Sequence, residues 1–352
     1  MKPILKWPGG KEKELEIIRK KIPTYSGRYV EPFVGGGAVF FDTSNPSCYI
    51  NDKSSDLINF YNCIKDKDKD FVRCIQQEYE EFLLISSIIE DNKSLVLDVY
   101  NQNIPIDTFV RIFLEEFKLF TSDYSRIFVK ELKSNLSRKI KRSAKLEKEN
   151  GAISSKDKMA NIEAAVKSAY YMYIRYLLNN MTSFSKGRQA AIFWFIREYC
   201  YSSMFRYNKN GDFNVPYGGI SYNKKDFGKK IRYALSTEVF DKLRNTSIQN
   251  KDFEKFIDEL RLNKNDFIFL DPPYDSDFST YDKNKFGKSE QKRLFNCLKH
   301  TSARFMLIIK NTEFIYEMYH DTFHIESFTK NYLVSFMNRN EKKVKHLIIT
   351  NY

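Results

Sequence analysis

Residues 265–274 are Asn265-Asp266-Phe267-Ile268-Phe269-Leu270-Asp271-Pro272-Pro273-Tyr274, an apolar run that ends in an acidic, proline-rich turn. The apolar part predicts a buried strand, and an acid at the carboxyl end of a strand lies where open α/β sheets bind their ligands. Proline has no backbone N–H group, so carbonyl groups of this turn can accept hydrogen bonds from a ligand. The carboxylate, a carbonyl and the tyrosine ring together suit an aminated planar heterocycle, such as adenine or cytosine. An ordinary strand that ends in a turn has the same composition.

A second strand and turn lie near the N-terminus. Residues 28–34 predict a strand that continues into Gly35-Gly36-Gly37, and residues 38–41 predict the start of a helix. Strand, glycine turn and helix in this order are typical of nucleotide-binding sites, because the glycines let the backbone approach the ligand closely. The spacing matches neither the dinucleotide-binding nor the P-loop pattern. A tight turn without a ligand is the alternative.

Two further segments can complete such a site. Residues 6–11 are Lys6-Trp7-Pro8-Gly9-Gly10-Lys11, a loop before a helix predicted over 13–21. Trp7 would form a pocket wall and Lys11 would pair with a carboxylate, or the segment is a plain N-terminal arm. Residues 48–52 predict a strand that ends in Asp52, which would either bond ribose hydroxyl groups or cap a following helix.

Composition predicts a globular protein that acts on a polyanion. The chain has 352 residues, of which 42% are hydrophobic, and a formal net charge of +13. This charge favours nucleic acid as a partner. No apolar run approaches a membrane span, and the N-terminus lacks a signal-peptide core. The 5 cysteines contain no Cys-x-x-Cys pair, which indicates reduced thiols in a cytoplasmic protein. The 4 histidines show no metal-ligand spacing, so we expect no metal.

The middle of the chain predicts a helical insert with segregated charge. Residues 66–123 have a helical pattern and contain 13 acidic residues (Asp or Glu) and 6 basic residues (Lys or Arg). Residues 126–175 contain 5 acidic and 13 basic residues. The densest basic positions are Lys139, Lys141, Arg142, Lys145 and Lys148. Such a run is either a solvated face or loose connector, or a surface that binds phosphates. Both interpretations remain open from the sequence.

The segment from 201 to 219 predicts a hairpin. Asn210-Gly211 is a strong hairpin-turn signal, and residues 190–195 before it predict a buried helix. Arg206 on a protruding hairpin could bond guanine twice, or the hairpin could pack on the helices. Strands predicted over 304–310 and 344–350, with a helix over 289–299, return to α/β alternation. We therefore predict one α/β domain from residues 1–65 and 240–352, with residues 66–239 inserted.

In this order, the segments resemble the Dam-type (class alpha, D12) DNA adenine-N6 methyltransferases. The resemblance covers residues 1–65 and 195–352. It implies a Rossmann-like, S-adenosyl-L-methionine-dependent methyltransferase domain with an inserted, mainly helical target-recognition domain that carries a β-hairpin. The implied reaction moves a methyl group to N6 of an adenine flipped out of double-stranded DNA and releases S-adenosylhomocysteine. A cognate restriction endonuclease would accompany such an enzyme in a restriction-modification system, and an orphan methylase has none.

The same resemblance assigns residues. It implies that the methyl donor is bound by Trp7, Lys11, Phe33, Gly35, Asp52, Asp252, Phe253 and Asp271. Asp271 and the Pro272 carbonyl would hold the target amine, and Tyr274 would stack on the base. The positions that match DNA contacts of the family are Lys6, Tyr201, Met204, Arg206 and Pro216.

Two departures bear on specificity. Where GATC-specific members carry Asn-Gly, this chain has Ser202-Ser203, and Gly219 replaces an arginine after Phe-Asn-Val-Pro. We therefore expect a recognition site other than GATC. The rivals are methylation of RNA or of cytosine N4, and a DNA-binding protein on a relic methyltransferase fold. Asp271 argues against the first two, and the intact set of Trp7, Lys11, Asp52 and Asp271 argues against the relic.

Overall fold

The computed structural model describes residues 1–117, 125–273, 286–331 and 343–352. The chain divides into two compact units, one made of Met1–Asp66 with Ala234–Tyr352 and the other of Lys67–Tyr233. Each unit has its own buried core. No helix among these described residues is long and apolar enough to cross a membrane.

The first unit is built on a seven-stranded sheet. Its strands are β1 (Tyr29–Glu31), β2 (Cys48–Asn51), β3 (Thr246–Gln249), β4 (Phe267–Leu270), β5 (Arg304–Lys310), β6 (His324–Asn331) and β7 (Lys343–Thr350). They lie in the order β3-β2-β1-β4-β5-β7-β6. The first five are parallel, and β7 runs antiparallel to both of its neighbours. The predicted α/β class is confirmed.

The order of the strands creates a switch point at the middle of the sheet. β1 pairs with β2 on one side and with β4 on the other. Open α/β sheets bind their ligands beside the carboxyl ends of the strands at such a point. All four residues of β4 and the five internal residues of β5 are buried. These near-continuous apolar runs suit parallel strands with both faces covered.

Helices pack beside this sheet. They are α1 (Leu15–Lys21), α2 (Ala38–Asp42), α3 (Ser55–Lys65), α11 (Thr237–Arg244), α12 (Phe253–Leu260), α13 (Lys288–His300) and α14 (Glu313–Tyr319). Leu294 and Leu298 of α13 belong to the same buried cluster as Ile268 and Leu270 of β4. Helix α13 is therefore anchored to the strand that precedes the Asp-Pro-Pro turn.

The second unit is mainly helical. It contains α4 (Lys69–Asp91), α5 (Lys93–Tyr100), α6 (Ile106–Phe117), α7 (Ser125–Asn150), α8 (Ser155–Asn179) and α9 (Lys186–Tyr199), and α10 (Phe227–Ala234) ends at the unit boundary. Its core is rich in aromatic rings, with Tyr199 packed 4.3 Å from Phe82 and 4.7 Å from Phe195 between centroids. The basic segment 126–175 forms most of α7 and α8. The interpretation of this segment as a loose connector is therefore wrong.

Candidate active site

The predicted site residues of the first unit follow three neighbouring strands. Gly35 comes shortly after β1, Asp52 directly after β2, and Asp271 directly after β4. Because these strands are parallel, their carboxyl ends meet at one edge of the sheet. The fold thus brings together segments that are far apart in sequence.

A buried ion pair joins the N-terminal loop to the Asp-Pro-Pro turn. The Lys11 ammonium group donates to a carboxylate oxygen of Asp271 and, at 3.0 Å, to the carbonyl oxygen of Gly9. Lys11 is 2% exposed and Asp271 is 18% exposed. The carboxylate expected for Lys11 is therefore Asp271. A partly buried pair of this kind fixes the orientation of the Asp271 carboxylate while leaving part of its surface open.

The glycine turn lies directly against Trp7. Gly35 has a φ of +48°, and a Cβ atom there would come within 2.8 Å of Cδ1 of the Trp7 indole. A Cβ atom at Gly36 would lie 3.0 Å from the carbonyl oxygen of Leu5. The Tyr61 hydroxyl group donates to the Gly35 carbonyl oxygen at 2.8 Å. The turn therefore needs glycine for both its backbone conformation and its contact with the indole.

Asp52 braces this glycine turn. Its carboxylate accepts from the Gly35 N–H at 3.0 Å and from the Ser54 N–H at 2.9 Å. Helix α3 is capped by the Ser54 side chain, which accepts from Leu57 N–H. The alternative in which Asp52 caps this helix is therefore wrong. Asp52 holds the loops after β1 and β2 in one arrangement.

Asn51, the last residue of β2, also holds loops of the candidate site together. This residue is 1% exposed. Its amide nitrogen donates to the carbonyl oxygens of Pro32 at 3.1 Å and Lys251 at 3.0 Å, and its oxygen accepts from Lys251 N–H at 2.8 Å. A single buried amide thus ties together the loops that follow β1, β2 and β3.

Asp252 and Phe253 begin helix α12. The Asp252 side chain caps the helix by accepting from Glu254 N–H at 3.1 Å, and it also binds the Arg293 guanidinium group at 2.7 Å. Burial opposes ionisation, but the bonds and charge of Arg293 outweigh it and lower the pKa of Asp252. The Phe253 ring lies 5.4 Å from the Phe33 ring between centroids. Phe33 and Phe253, both predicted to bind the methyl donor, therefore lie in one aromatic cluster.

Glu31 is a buried carboxyl group at the end of β1 that the sequence analysis did not select. It is 2% exposed and accepts from the Tyr29 hydroxyl group at 2.5 Å. Burial, aided by the negative charge of Asp271, raises the pKa of Glu31 to about 8 against the opposing effects of Tyr29 and Lys11. At neutral pH the Glu31 carboxyl group therefore carries a proton. The acid inside an otherwise apolar strand was the signal that could have identified it.

The Asp-Pro-Pro turn is anchored from helix α13. Pro272 is buried and Pro273 is exposed. The Gln291 side-chain amide donates to the carbonyl oxygen of Pro273 at 3.1 Å. Tyr274, the predicted stacking residue, lies outside the described residues. No sequence pattern pointed to Gln291 or Arg293, because their contacts depend on packing between distant segments.

The predicted DNA contacts of the second unit lie on a folded-back segment. Antiparallel bridges pair Cys200 with Tyr217 and Tyr207 with Phe213, with the Asn210-Gly211 turn between them. The Arg206 guanidinium group donates to the side chain and backbone oxygens of Asn214, both at 2.8 Å. The exposed positions among the predicted contacts are Tyr201, Arg206 and Pro216, whereas Met204 is half-buried. Lys6, an exposed residue, belongs to the first unit.

Among the described residues, no group of three or more His, Cys, Asp or Glu side chains is arranged to hold a metal ion. The four buried cysteines and the half-buried Cys297 are all free thiols.

The seven-stranded, mainly parallel sheet with helices beside it agrees with the fold of a methyltransferase domain. The family model for D12 class N6 adenine-specific DNA methyltransferases matches residues 7–165 and 135–334. The chain therefore belongs to this family. Membership decides against the cytosine, RNA and relic alternatives, and it implies a methyl donor of the S-adenosylmethionine type.

Named relatives agree with the family. The Type II methyltransferase M.CviBI of Paramecium bursaria Chlorella virus NC1A is 28% identical over 100% of both chains. The Type II methyltransferase M1.LlaDCHI of Lactococcus lactis subsp. cremoris is 25% identical over 100% of this chain and 96% of that protein. The DNA adenine methylase of Serratia marcescens is 24% identical over 87% of this chain and 82% of that protein.

Proposed function

We propose that this chain transfers a methyl group from S-adenosyl-L-methionine to N6 of an adenine at one specific site in double-stranded DNA. The observation that carries the proposal is the buried Lys11–Asp271 ion pair at the switch point of the sheet. It places a fixed carboxylate at the first residue of the Asp-Pro-Pro turn. The Type II relatives support a role in restriction-modification. We further propose that the chain acts in the cytoplasm beside a cognate endonuclease.

The residues around the switch point fit a nucleoside-type methyl donor. The Gly35 turn leaves no room for a side chain beside Trp7, so backbone and indole together form a close-fitting wall. The half-exposed carboxylate of Asp52 can accept from ribose hydroxyl groups. Phe33, Asp252 and Phe253 would receive the adenine part, and Lys11 and Asp271 would lie near the methionine part. S-Adenosylmethionine supplies an activated, electrophilic methyl group when it is bound here.

The chain's own groups then have to make the adenine amine nucleophilic. The lone pair of that amine is conjugated into the ring. Hydrogen bonds from its two N–H groups to the Asp271 carboxylate and the Pro272 carbonyl would shift the nitrogen toward tetrahedral geometry and free the lone pair. The Asp271 carboxylate would also stabilise the positive charge that develops on the amine. Lys11 keeps that carboxylate oriented, which favours an in-line approach.

The base must leave the duplex to reach this turn, because a paired adenine is stacked between its neighbours and uses one N6–H group in pairing with thymine. We assign Tyr274 to stack on the flipped base. Recognition of the surrounding sequence is assigned to Lys6, Tyr201, Met204, Arg206 and Pro216. Because Ser202-Ser203 and Gly219 depart from the GATC pattern, the proposed recognition site is a different sequence.

Sequencing with modified-base detection tests the proposal directly. The chain is expressed in a host that lacks DNA methylation, beside an Asp271→Ala variant as the control. We expect N6-methyladenine in one sequence motif, other than GATC, with the wild-type chain only. Folded wild-type protein that methylates no motif would refute the proposal, and methylation in GATC would refute its specificity part.

A further inference from the structure

The Asp-Pro-Pro turn has no backbone donor at either of its prolines. Pro272 and Pro273 both lack N–H groups. A turn that must present a carboxylate and a carbonyl at a fixed position therefore needs a donor from elsewhere in the fold. The Gln291 amide of helix α13 supplies one, with its nitrogen 3.1 Å from the Pro273 carbonyl oxygen.

Gln291 is an unusual residue for its surroundings. Its side chain is 0% exposed, and it lies one helical turn from the buried core residue Leu294. Its Oε1 atom has no hydrogen-bond partner within the described ranges. A buried acceptor without a partner costs free energy that an apolar side chain would avoid. The hydrogen bond from the Gln291 nitrogen to the Pro273 carbonyl oxygen explains why an amide, and not an apolar side chain, occupies this buried position.

Arg293, on the same helix, contacts the segment that begins α12. Its guanidinium group donates to Asp252 at 2.7 Å, to Glu254 at 2.6 Å and to Glu290 at 2.6 Å. Its central carbon lies 5.0 Å from the centroid of the Phe253 ring. A planar cation with several fixed donors is suited to hold a carboxylate and a ring at once.

We propose that helix α13 is a positioning element that sets the distance between the two substrates. Gln291 holds the turn that presents Asp271 and the Pro272 carbonyl to the target base. Arg293 holds Asp252 and Phe253 where the methyl donor binds. Because both side chains lie on one rigid helix, that helix fixes the positions of both reacting groups. This inference rests on the proposed function and adds two positioning residues to it.

Gln291 should affect kcat, whereas Arg293 should affect the Kd for S-adenosylmethionine. Gln291→Met keeps the volume and removes the N–H group, so the turn loses its bond to α13, while the Lys11–Asp271 ion pair and the pocket for the methyl donor stay intact. We expect kcat to fall about 10- to 100-fold, since small misplacements of reacting groups have effects of this size, with the Kd for S-adenosylmethionine within about twofold of wild type. Arg293→Met should instead weaken S-adenosylmethionine binding about tenfold and largely spare kcat at saturation. Arg293→Lys should restore part of that binding.

Lys292→Ala is the matched control, because Lys292 lies between the two residues and is exposed. It should match wild type in both constants. Each variant is tested as the full chain by steady-state methylation of its cognate DNA and by calorimetric titration with S-adenosylmethionine. Equal losses of kcat and of donor affinity in the Gln291 and Arg293 variants would mean that α13 only supports folding. Unchanged kcat in Gln291→Met would also overturn the inference.

This experiment separates the inference from the proposed function. If wild-type chain neither binds S-adenosylmethionine nor methylates DNA, the proposed function fails. If wild-type chain does both and the two variants do not divide between kcat and donor affinity, the inference alone fails.

Discussion

At the scale of single residues, the proposed chemistry depends on the orientation of Asp271. Its carboxylate is fixed by an almost fully buried lysine, yet it keeps 18% of its side-chain surface exposed. The partial exposure leaves acceptor positions for a ligand, which agrees with a role in binding the target amine.

Asp271→Ala should lower the rate of methyl transfer by at least about 10²–10³-fold, the size of effect seen when a group that stabilises developing charge is removed. DNA affinity should change little, because the carboxylate contacts the base only after flipping and binds no phosphate. Single-turnover methylation and fluorescence anisotropy with labelled cognate DNA measure the two effects. Equal losses of methylation and DNA binding would remove this role from Asp271.

Glu31 predicts a pH dependence of stability. Its pKa is raised to about 8 in the folded chain and returns to its ordinary value near 4.5 on unfolding. Between these values the folded state binds one proton more than the unfolded state. Stability due to this group therefore falls as pH rises through this window, by about 1.4 kcal/mol per pH unit. Its contribution is constant below and above the window.

Glu31→Gln should remove this dependence, because a neutral amide resembles the protonated carboxyl group. The free energy of unfolding of the variant, relative to that of wild type, should therefore increase progressively as pH rises through the window. Urea unfolding midpoints of both proteins at several pH values between 5 and 9 test this. Parallel midpoint curves would show that Glu31 is ionised in the fold, and that Lys11 and Tyr29 stabilise its charge.

At the scale of elements, apolar central strands were predictable and polar edge strands were not. The runs that form β2, β4, β5 and β7 carry buried apolar residues, and all four were predicted as strands. Strand β3 is Thr246-Ser247-Ile248-Gln249 at one edge of the sheet, where a single apolar residue gives no clear period. Strand β6 is similarly polar at the other edge. Both edge strands were missed.

The site was predictable where it follows a strand and not where it depends on packing. Asp52 and Asp271 follow predicted strands directly, so their meeting at one edge follows from parallel pairing. The contacts of Asn51, Gln291 and Arg293 join segments that approach only in the folded chain. Their residue types carry no local pattern, and a sequence without its fold gives no reason to select them.

The backbone at Ser202-Ser203 adopts a conformation that suits the Asn-Gly pair of the GATC pattern better than it suits serine. Both serines have a φ of +52°, a conformation that favours asparagine and glycine. The buried Arg197 side chain donates to the carbonyl oxygens of Ser203 at 2.5 Å and Met204 at 2.7 Å. Arg197 thereby holds a turn that its own residues disfavour.

Ser203→Gly should therefore stabilise the second unit by about 0.5–1 kcal/mol, the left-handed penalty less the backbone entropy of glycine. Ser203→Ala is the control, because alanine has the same penalty as serine at this φ. The measurement is the shift in the urea midpoint of each variant from wild type. An equal gain in both variants would show that the serine hydroxyl group, and not the backbone, causes the change.

At the scale of the whole molecule, positive charge and sequence reading are assigned to different surfaces. The net charge of +13 favours any DNA, whereas discrimination requires contacts with base edges. Helix α7 exposes Lys141, Arg142, Lys145 and Lys148, and these long cations can reach phosphates without reading bases. Arg206 lies on the folded-back segment and has a guanidinium group suited to guanine.

Replacing the four exposed α7 cations with glutamine should weaken binding to all DNA sequences alike. If each contacts one phosphate, the slope of log K against log salt should become shallower by about 0.9 per residue. The methylated motif and kcat at saturating DNA should stay unchanged. Arg206→Ala is the matched comparison, and it should relax the motif with little change in salt slope. Binding titrations from low to moderate salt, combined with a methylation-site scan, measure both properties.

A solvated α7 face without DNA contact would leave the slope of the quadruple variant at the wild-type value. An altered motif in that variant would instead show that α7 contributes to reading the bases.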